Sequence, residues 1–430
     1  MEKVGIMGGT FNPIHISHLM IAARAYDHFN LDKVIFLPSK QPPHKPLSEI
    51  ASETDRCSMI KAAIKDYPFF ELSEFELQRE GTTYTAETLT LLKKQNPDTK
   101  YYFIIGGDSI DYFDSWNQPD VILENCVLLC APRVSESRLT NNSMNGYDSS
   151  SGQNEKNEYL EYDYEKIIEK LIKKYSRIKE DGTRFIPEIA MLPSPIVSVS
   201  SSRIREYVKC GLNISCMVPK GVEDYILSKG IYKDPFFEDI KAKQEKTLKP
   251  KRFKHVLDVA QTAYKLALAH GVDPIKAYTA GLLHDCAKYL NDKEILEEAE
   301  AYNIEIDEVE RRNASNLLHS KVGAAWTRDK FGIEDEEIIS SIYYHTTGKP
   351  QMSKLELIIY LADILEPGRN IEFDPTLDVL RTEASYDLEL TIYHILDNVV
   401  PYILKNYKEN VCTTTLDTYD YYKKVIKERK

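Results

Sequence analysis

The sequence has no C-x-x-C pair, no long apolar run, no basic excess and neither of the two common glycine-rich phosphate loops. Each absence excludes something. The seven cysteines (57, 126, 130, 210, 216, 286 and 412) are odd in number and scattered. They read as reduced thiols of a cytoplasmic protein, with Cys126 and Cys130 as core residues. No apolar stretch approaches the ~18 residues that a membrane-spanning helix needs. The N-terminus enters a strand at once, without a basic-then-apolar leader, so no signal peptide is expected. A net charge of −12 argues against a general nucleic-acid surface and leaves anionic ligands to local basic sites. G-x-G-x-x-G is absent, and no G-K-[ST] follows a glycine pair. The expectation is a soluble protein with neither a nucleic-acid nor a membrane partner; homo-oligomerisation stays open.

What is present comes in two halves. At 430 residues, 42% hydrophobic and 28% charged, the chain exceeds one ordinary core, so two domains are expected. KVGIM (3–7), KVIFLP (33–38), FFELS (69–73), YYFIIGG (101–107), CVLLCAP (126–132) and IPEIAML (186–192) are near-continuous apolar runs. Such runs suit parallel strands buried on both faces. Helical stretches lie between them, so residues 1–234 are expected to form a doubly wound α/β sheet. The Ser- and Asn-rich stretch 135–158 reads as a disordered insertion, followed by a helix over 162–178. Beyond residue 233 the period is helical almost throughout, so 235–430 are expected to form an all-α bundle. Asp273 and Pro274 suit an N-cap and first-turn proline. The lysine run at 241–254 suits a solvated helix face.

Two patterns carry chemistry. In GGTFNPIHISH (8–18), Gly8 and Gly9 let a ligand approach backbone at the end of the first strand. His15 and His18, three apart, share a helix face near its N-terminus, where they suit a triphosphate. This stretch resembles the G-G-x-F-x-P-x-H-x-[GA]-H motif of the Rossmann-like nucleotidylyltransferase superfamily. Asn12 stands where aspartate is common, and Ser17 where glycine or alanine is usual. VSSSRIREYVKCG (199–211) resembles the superfamily's I-S-S-[ST]-x-I-R signature. There the serines cap a helix start, Arg205 reaches the same end, and Gly211 suits a helix stop. The resemblance implies ATP contacts from Gly8, Gly9, Thr10, Phe11, His15, His18, Ser201, Ser202 and Arg205.

TTYTAETL (82–89) puts Thr83 and Thr85 at a helix start, where free amides favour an anion. GGDSIDYFDSW (106–116) supplies Asp108, Tyr112 and Trp116, and APR (131–133) supplies Arg133. Together these resemble the bacterial nicotinate-nucleotide adenylyltransferases over residues 1–233. The resemblance implies that Trp116 stacks on the pyridine, that amides near Thr85 and Tyr112 hold its carboxylate, and that Lys45 meets the mononucleotide phosphate. An amide nest prefers a carboxylate to a neutral carboxamide. The implied reaction is attack of the nicotinate mononucleotide phosphate on the α-phosphorus of ATP, with Mg²⁺, His15, His18 and Arg205 stabilising charge. Pantetheine phosphate or nicotinamide mononucleotide is the rival acceptor.

The second pattern is His255, His284–Asp285, His319, His345 and Asp363. Four histidines and two aspartates in apolar helical contexts suit transition metals inside a bundle. His284 and Asp285, about 100° apart on a helix, can both face one metal. His28, His270 and His394 read as structural. The set matches the HD-domain phosphohydrolases. LLHDCAK, YYHTTGK and YLADILEPGR resemble the small members that split diadenosine tetraphosphate symmetrically, over about 236–430. That resemblance implies one metal on His255, His284, Asp285 and Asp363. A second sits on His319 and His345, with Asp285 bridging, iron expected and manganese also suited. A metal-activated water is then the attacking group; Lys288, one helical turn after Asp285, and Arg369 are candidates to grip the polyphosphate, with surface charge as the alternative. The expected protein is thus bifunctional, with Asp285 catalytic in the second half. The rivals make that half a regulatory nucleotide-binding module, or give it a nucleoside monophosphate or cyclic dinucleotide.

Overall fold

The structure, a computed structural model, describes residues 1–40, 50–81, 83–132, 164–193, 197–369, 376–406 and 411–429. Lys45, Arg133 and the 135–158 stretch lie outside the described residues. The chain divides into two compact units. One comprises Met1–Val208 and Asn213–Tyr232; the other comprises Lys209–Leu212 and Lys233–Lys430.

The first unit is built on β1 (Lys3–Gly9), β2 (Lys33–Pro38), β3 (Phe70–Leu72), β4 (Lys100–Gly106), β5 (Cys126–Ala131) and β6 (Ile189–Met191). Their order is β3-β2-β1-β4-β5-β6, and every pairing is parallel. This is the doubly wound arrangement expected. The six apolar runs all became strands because both sheet faces are covered. Met7, Phe36 and Leu129 enter one core, and Ile6, Phe103 and Leu128 the other. The covering helices are α1 (Ile16–Phe29), α2 (Glu53–Ile64), α3 (Thr85–Gln95), α4 (Gly107–Ile110), α5 (Pro119–Asn125), α6 (Tyr164–Tyr175), α7 (Ser201–Lys209) and α8 (Lys220–Lys229). Because the chain leaves β1 for one side of the sheet and returns to β4 for the other, the crevice lies at the carboxyl ends of these two strands.

Two expectations shift. The edge strands β3 and β6 are shorter than their apolar runs, since each has a partner on one side alone. The helix expected over 162–178 ends at Tyr175, because Arg177–Ile178 pairs antiparallel with Arg184–Phe185 in a small hairpin. Gly182, at φ +80°, turns that hairpin.

The second unit is helical: α9 (Pro235–Thr247), α10 (Pro250–His270), α11 (Pro274–Leu283), α12 (Asp292–Ala301), α13 (Glu308–Arg312), α14 (Ala314–Asp329), α15 (Glu336–Tyr343), α16 (Lys354–Leu365), α17 (Leu377–Ala384), α18 (Leu388–Asn406) and α19 (Thr413–Glu428). Asp273 caps α11 by accepting from the Ile275 and Lys276 amides, as its sequence suggested. Gly281 lets α11 close on α10: a Cβ there would lie 2.7 Å from Ala260 Cα. The lysine-rich stretch breaks at Leu248–Lys249, where Pro250 opens α10. No described helix is long and apolar enough to cross a membrane.

Candidate functional sites

In the first unit, Gly8 and Gly9 close β1, and the Gly9 carbonyl accepts from the Ser39 amide at 2.9 Å, tying the ends of β1 and β2 together. Phe11 takes a positive φ of 50°, which bends the chain towards α1. His15 occupies the N-cap, and its amide donates to His18 Nδ1 at 3.2 Å. The rings stack with centroids 3.6 Å apart, and Phe11 meets His18 edge-on at 5.1 Å. Since Nδ1 of His18 accepts, its neutral ring carries the proton on Nε2 and offers a donor there.

The second signature folds onto this loop. Ser201 Oγ donates to the Pro13 carbonyl at 2.9 Å, and Arg205 Nη1 to the Asn12 carbonyl at 2.9 Å. Arg205 Nη2 also donates to Ser202 Oγ at 3.3 Å. Two motifs nearly two hundred residues apart thus form one end of the sheet. Gly211, at φ +64°, follows α7 as the stop its sequence suggested.

Sequence reasoning missed two anchors of the loop. Arg56 is buried (1% exposed) and donates to the Thr10 carbonyl at 2.9 Å and the Ala51 carbonyl at 3.2 Å. Burial holds its guanidinium below its ordinary pKa. Tyr232 donates its hydroxyl to Asn12 Oδ1 at 2.8 Å, and the Ala51 amide donates to the same oxygen at 2.9 Å. No short motif marks either contact; each spans tens to hundreds of residues.

The mononucleotide candidates gather near α3 and after β4. Thr85 opens α3. Thr83 is buried and donates inward to Glu76 Oε2 at 3.2 Å, while Thr88 donates to Glu76 Oε1 at 2.8 Å. Glu76 was not anticipated; burial raises its carboxyl pKa against the opposing Thr88, Thr83 and Arg79. Asp108 is an exposed residue of α4. Tyr112 is 50% exposed, with its hydroxyl 3.2 Å from Ser109 Oγ. Trp116 is half-buried against Phe113 at 5.4 Å and Phe103 at 6.4 Å, so part of its ring stays open to solvent.

In the second unit the six candidate metal ligands meet. His255 comes from α10, His319 from α14 and Asp363 from α16. His284 and Asp285 do not share a helix, contrary to expectation: α11 ends at Leu283, and they lie in turns immediately after it. The reason is local. His284 Nδ1 donates to the Gly281 carbonyl at 2.7 Å, the acceptor that the Asp285 amide would use if the helix continued. His345, just beyond α15, uses the same device, with Nδ1 donating to the Ile342 carbonyl at 2.7 Å. Both rings are thereby fixed with Nε2 aimed inward.

His255 Nε2 lies 3.0 Å from Asp363 Oδ1, and His284 Nε2 lies 3.6 Å from Asp285 Oδ2. His319 Nε2 lies 3.2 Å from both Asp285 Oδ1 and His345 Nε2. Donor atoms of His255, His284 and Asp363 lie within 4.8 Å of one another, as do those of His284, Asp285 and His345. His284 belongs to both groups, and Asp285, a member of the second, borders the first through Oδ2, 3.9 Å from His255 Nε2. The buried Nε2 of His284 has no hydrogen-bond partner among the described residues. Burial holds His319 and His345 down at about 4 and lowers His284 too, so these imidazoles present lone pairs at neutral pH. Burial opposes ionisation of Asp285 and Asp363. The surrounding histidines outweigh it and hold both carboxyls below their usual range. Three neutral imidazoles with ionised carboxylates around an unpartnered nitrogen fit a divalent-metal site.

Three cations reach these ligands. Arg252 Nη1 donates to Asp285 Oδ2 at 2.8 Å, Arg369 Nη2 to Asp363 Oδ1 at 2.8 Å, and Lys288 Nζ lies 3.3 Å from His319 Nδ1. Lys288 and Arg369 were expected nearby; Arg252 was not, although it stands one helical turn before His255. His270 and His394 serve structure, meeting the Ala384 carbonyl and Glu383 respectively, and His28 packs on Phe29. All seven cysteines are free; Cys126 and Cys130 are core residues of β5 whose thiols burial pushes up to about 12.

Residues 6–207 match the cytidylyltransferase-like family and residues 252–368 match the HD domain. A Lachnoclostridium phytofermentans protein named "Probable nicotinate-nucleotide adenylyltransferase" is 39% identical over 232 residues, 54% of this chain and all of that one. A Mycoplasma genitalium protein named "Probable nicotinate-nucleotide adenylyltransferase/Ap4A hydrolase" is 29% identical over 404 residues, 92% of this chain and 98% of that one. Among solved structures, a Clostridium acetobutylicum protein described as a "predicted HD superfamily hydrolase involved in NAD metabolism" is 36% identical. It covers 44% of this chain and 97% of its own, with a TM-score of 0.41.

Proposed function

Because the chain belongs to the nicotinate-nucleotide adenylyltransferase family, we propose that residues 1–234 transfer AMP from ATP to nicotinate mononucleotide. The products are nicotinate adenine dinucleotide and pyrophosphate. The observation that supports this most directly is the meeting of His15, His18 and Arg205 at one end of β1. In this reading ATP lies over Gly8, Gly9, Thr10 and Phe11, with Mg²⁺ on its phosphates. The mononucleotide phosphate attacks the α-phosphorus in line, and no side chain becomes a nucleophile. His18 Nε2–H and the Arg205 guanidinium stabilise charge on the phosphoryl oxygens and the departing pyrophosphate. Ser201 holds the start of α7 against the loop, and Ser202 accepts from Arg205. Trp116 stacks on the pyridine through its open face, and amides at Thr85 and Tyr112 take the ring carboxylate. Asp108 stands beside them, while Lys45 and Arg133 complete the phosphate contacts.

Residues 235–430 form a phosphohydrolase that splits diadenosine tetraphosphate into two ADP. The carrying observation is the buried cluster of four histidines and two aspartates. His255, His284, Asp285 and Asp363 would hold one metal, and His319 and His345 a second that shares Asp285; iron is the expected ion. Bound there, the metals supply Lewis acidity and an activated water. The chain's own residues do the rest. Arg252, Lys288 and Arg369 grip the polyphosphate, and the carbonyl-anchored His284 and His345 keep their donor nitrogens in place. Both activities use free nucleotides and suit the cytoplasm.

Chromatography of diadenosine tetraphosphate after incubation with reduced, iron-loaded protein tests this, beside Asp285→Ala. ADP from the wild type alone is the expected result. AMP plus ATP would move the cleavage site, and no cleavage by metal-loaded protein would overturn the hydrolase.

A further inference from the structure

Glu366 takes no part in the chemistry above, yet it touches the metal-ligand cluster directly. It caps the C-terminal end of α16 and is buried (3% exposed). Its Oε1 lies 3.1 Å from His255 Nδ1, while the opposite ring nitrogen, Nε2, faces Asp363 Oδ1 at 3.0 Å. His284 and His345 each orient their rings with a backbone carbonyl freed at a helix end. His255 cannot do so, because it stands within α10, where the preceding carbonyls belong to the helix ladder. A side-chain acceptor must serve instead, and Glu366 is that acceptor.

The carboxylate is itself held. Its Oε2 accepts from the Gly368 amide, and a Cβ on Gly368 would come within 2.8 Å of that oxygen. Arg381, on α17, donates to the carbonyls of Leu365 and Glu366, each at 2.9 Å, and of Arg369 at 3.3 Å. Thus the turn carrying Arg369 and the group orienting His255 form one pinned unit.

We propose that Glu366 is a positioning residue of the metal centre, fixing His255 as an Nε2 ligand and tying that ligand to the turn that carries Arg369. The proposal rests on the reading of this half as metal-dependent. A carboxylate behind a ligating imidazole fixes the tautomer and raises ligand basicity, and its loss costs about 10–100-fold in metal affinity.

The test is Mn²⁺ titration of the full-length, chelator-stripped protein against a competing indicator, comparing wild type, Glu366→Gln and Glu366→Ala. Gln keeps the size and an oxygen acceptor but removes the charge. The expected result is about 10-fold or greater weakening in Gln, at least as much in Ala, with the metal-free melting midpoint of Gln and the adenylyl transfer of both variants unchanged. If the wild type binds neither Mn²⁺ nor, under reducing conditions, Fe²⁺, the metal reading of this half fails. If the wild type binds and Gln and Ala bind equally well, the positioning role fails. If Gln loses affinity only as its metal-free midpoint falls, Glu366 is structural and the proposal is overturned.

Discussion

At the adenylyltransferase end, much of the surface is backbone. Gly8 and Gly9 close β1, and the carbonyls of Thr10, Asn12 and Pro13 are each held by a side chain from elsewhere, Arg56, Arg205 and Ser201. In the helical unit the site is side chain throughout: imidazoles and carboxylates from three helices and two helix ends, with cations on their outer edge. The difference follows from the charge each must meet. A triphosphate brings its own negative charge and its own cation, so amides, two imidazoles and one arginine suffice. A buried divalent cation needs ionised donors, and these must be insulated from water and held in a fixed protonation state.

The contrast breaks most sharply at Asp285, which belongs to one group of donors and borders the other. Asp285→Ala is expected to lower hydrolysis by more than the ~10²–10³ that one stabilising donor costs and to reduce bound metal. Adenylyl transfer by the same preparation should persist. Parallel assays with metal analysis check this; retained hydrolysis would remove the shared-ligand role. The counterpart is His18→Ala. Loss of one preorganised donor is expected to cost turnover about 10²–10³-fold, with little change in KM for the mononucleotide, because His18 stacks on His15 at the start of α1 and is not one of the mononucleotide candidates near α3 and after β4. Steady-state kinetics with both substrates varied decides it, and near-normal turnover would take the histidine out of the chemistry.

Tyr232→Phe should be milder. It deletes the phenol donor to Asn12 Oδ1 but leaves the Ala51 amide on that oxygen. About 1 kcal/mol of stability is the expected loss, read as a lower urea midpoint at unchanged slope. An unchanged midpoint would mean that the far end of the unit does not support the loop.

How legible each site was in the sequence follows from the same contrast. The sheet could be read because strands covered on both faces are written as continuous apolar runs, and the GGTFNPIHISH turn because glycine and histidine spacing is local. The candidate metal ligands could be picked out because few other roles explain four histidines and two aspartates in apolar helical surroundings. Residues acting through space were silent. Arg56, Tyr232, Glu76, Arg252 and Glu366 look like ordinary charged or aromatic positions until the fold brings Thr10, Asn12, Thr83, Asp285 and His255 beside them. The turn at His284–Asp285 was hidden for a related reason. Its sequence continues a helix, and the ring's own bond to Gly281 ends it.

Glu76 gives the smallest expected effect and the finest test of how the start of α3 is held. Its carboxyl is buried beneath the start of α3, bonded to Thr83 and Thr88, with its pKa raised chiefly by desolvation. Between its unfolded and folded pKa values the folded state binds more protons, so stability falls as pH rises through that window. The penalty is complete above the folded value and absent below the unfolded one. Gln at this position keeps an acceptor for Thr88 and places an amide beside Thr83 without a charge to desolvate. Glu76→Gln is therefore expected to change stability at pH 7 by no more than about 1 kcal/mol, in the stabilising direction, and to flatten the dependence between pH 7 and 4.5. Thermal unfolding of both proteins across that range measures it. A marked loss of stability in Glu76→Gln at pH 7 would mean that the charge itself, paired with nearby Arg79, holds the α3 end of the site.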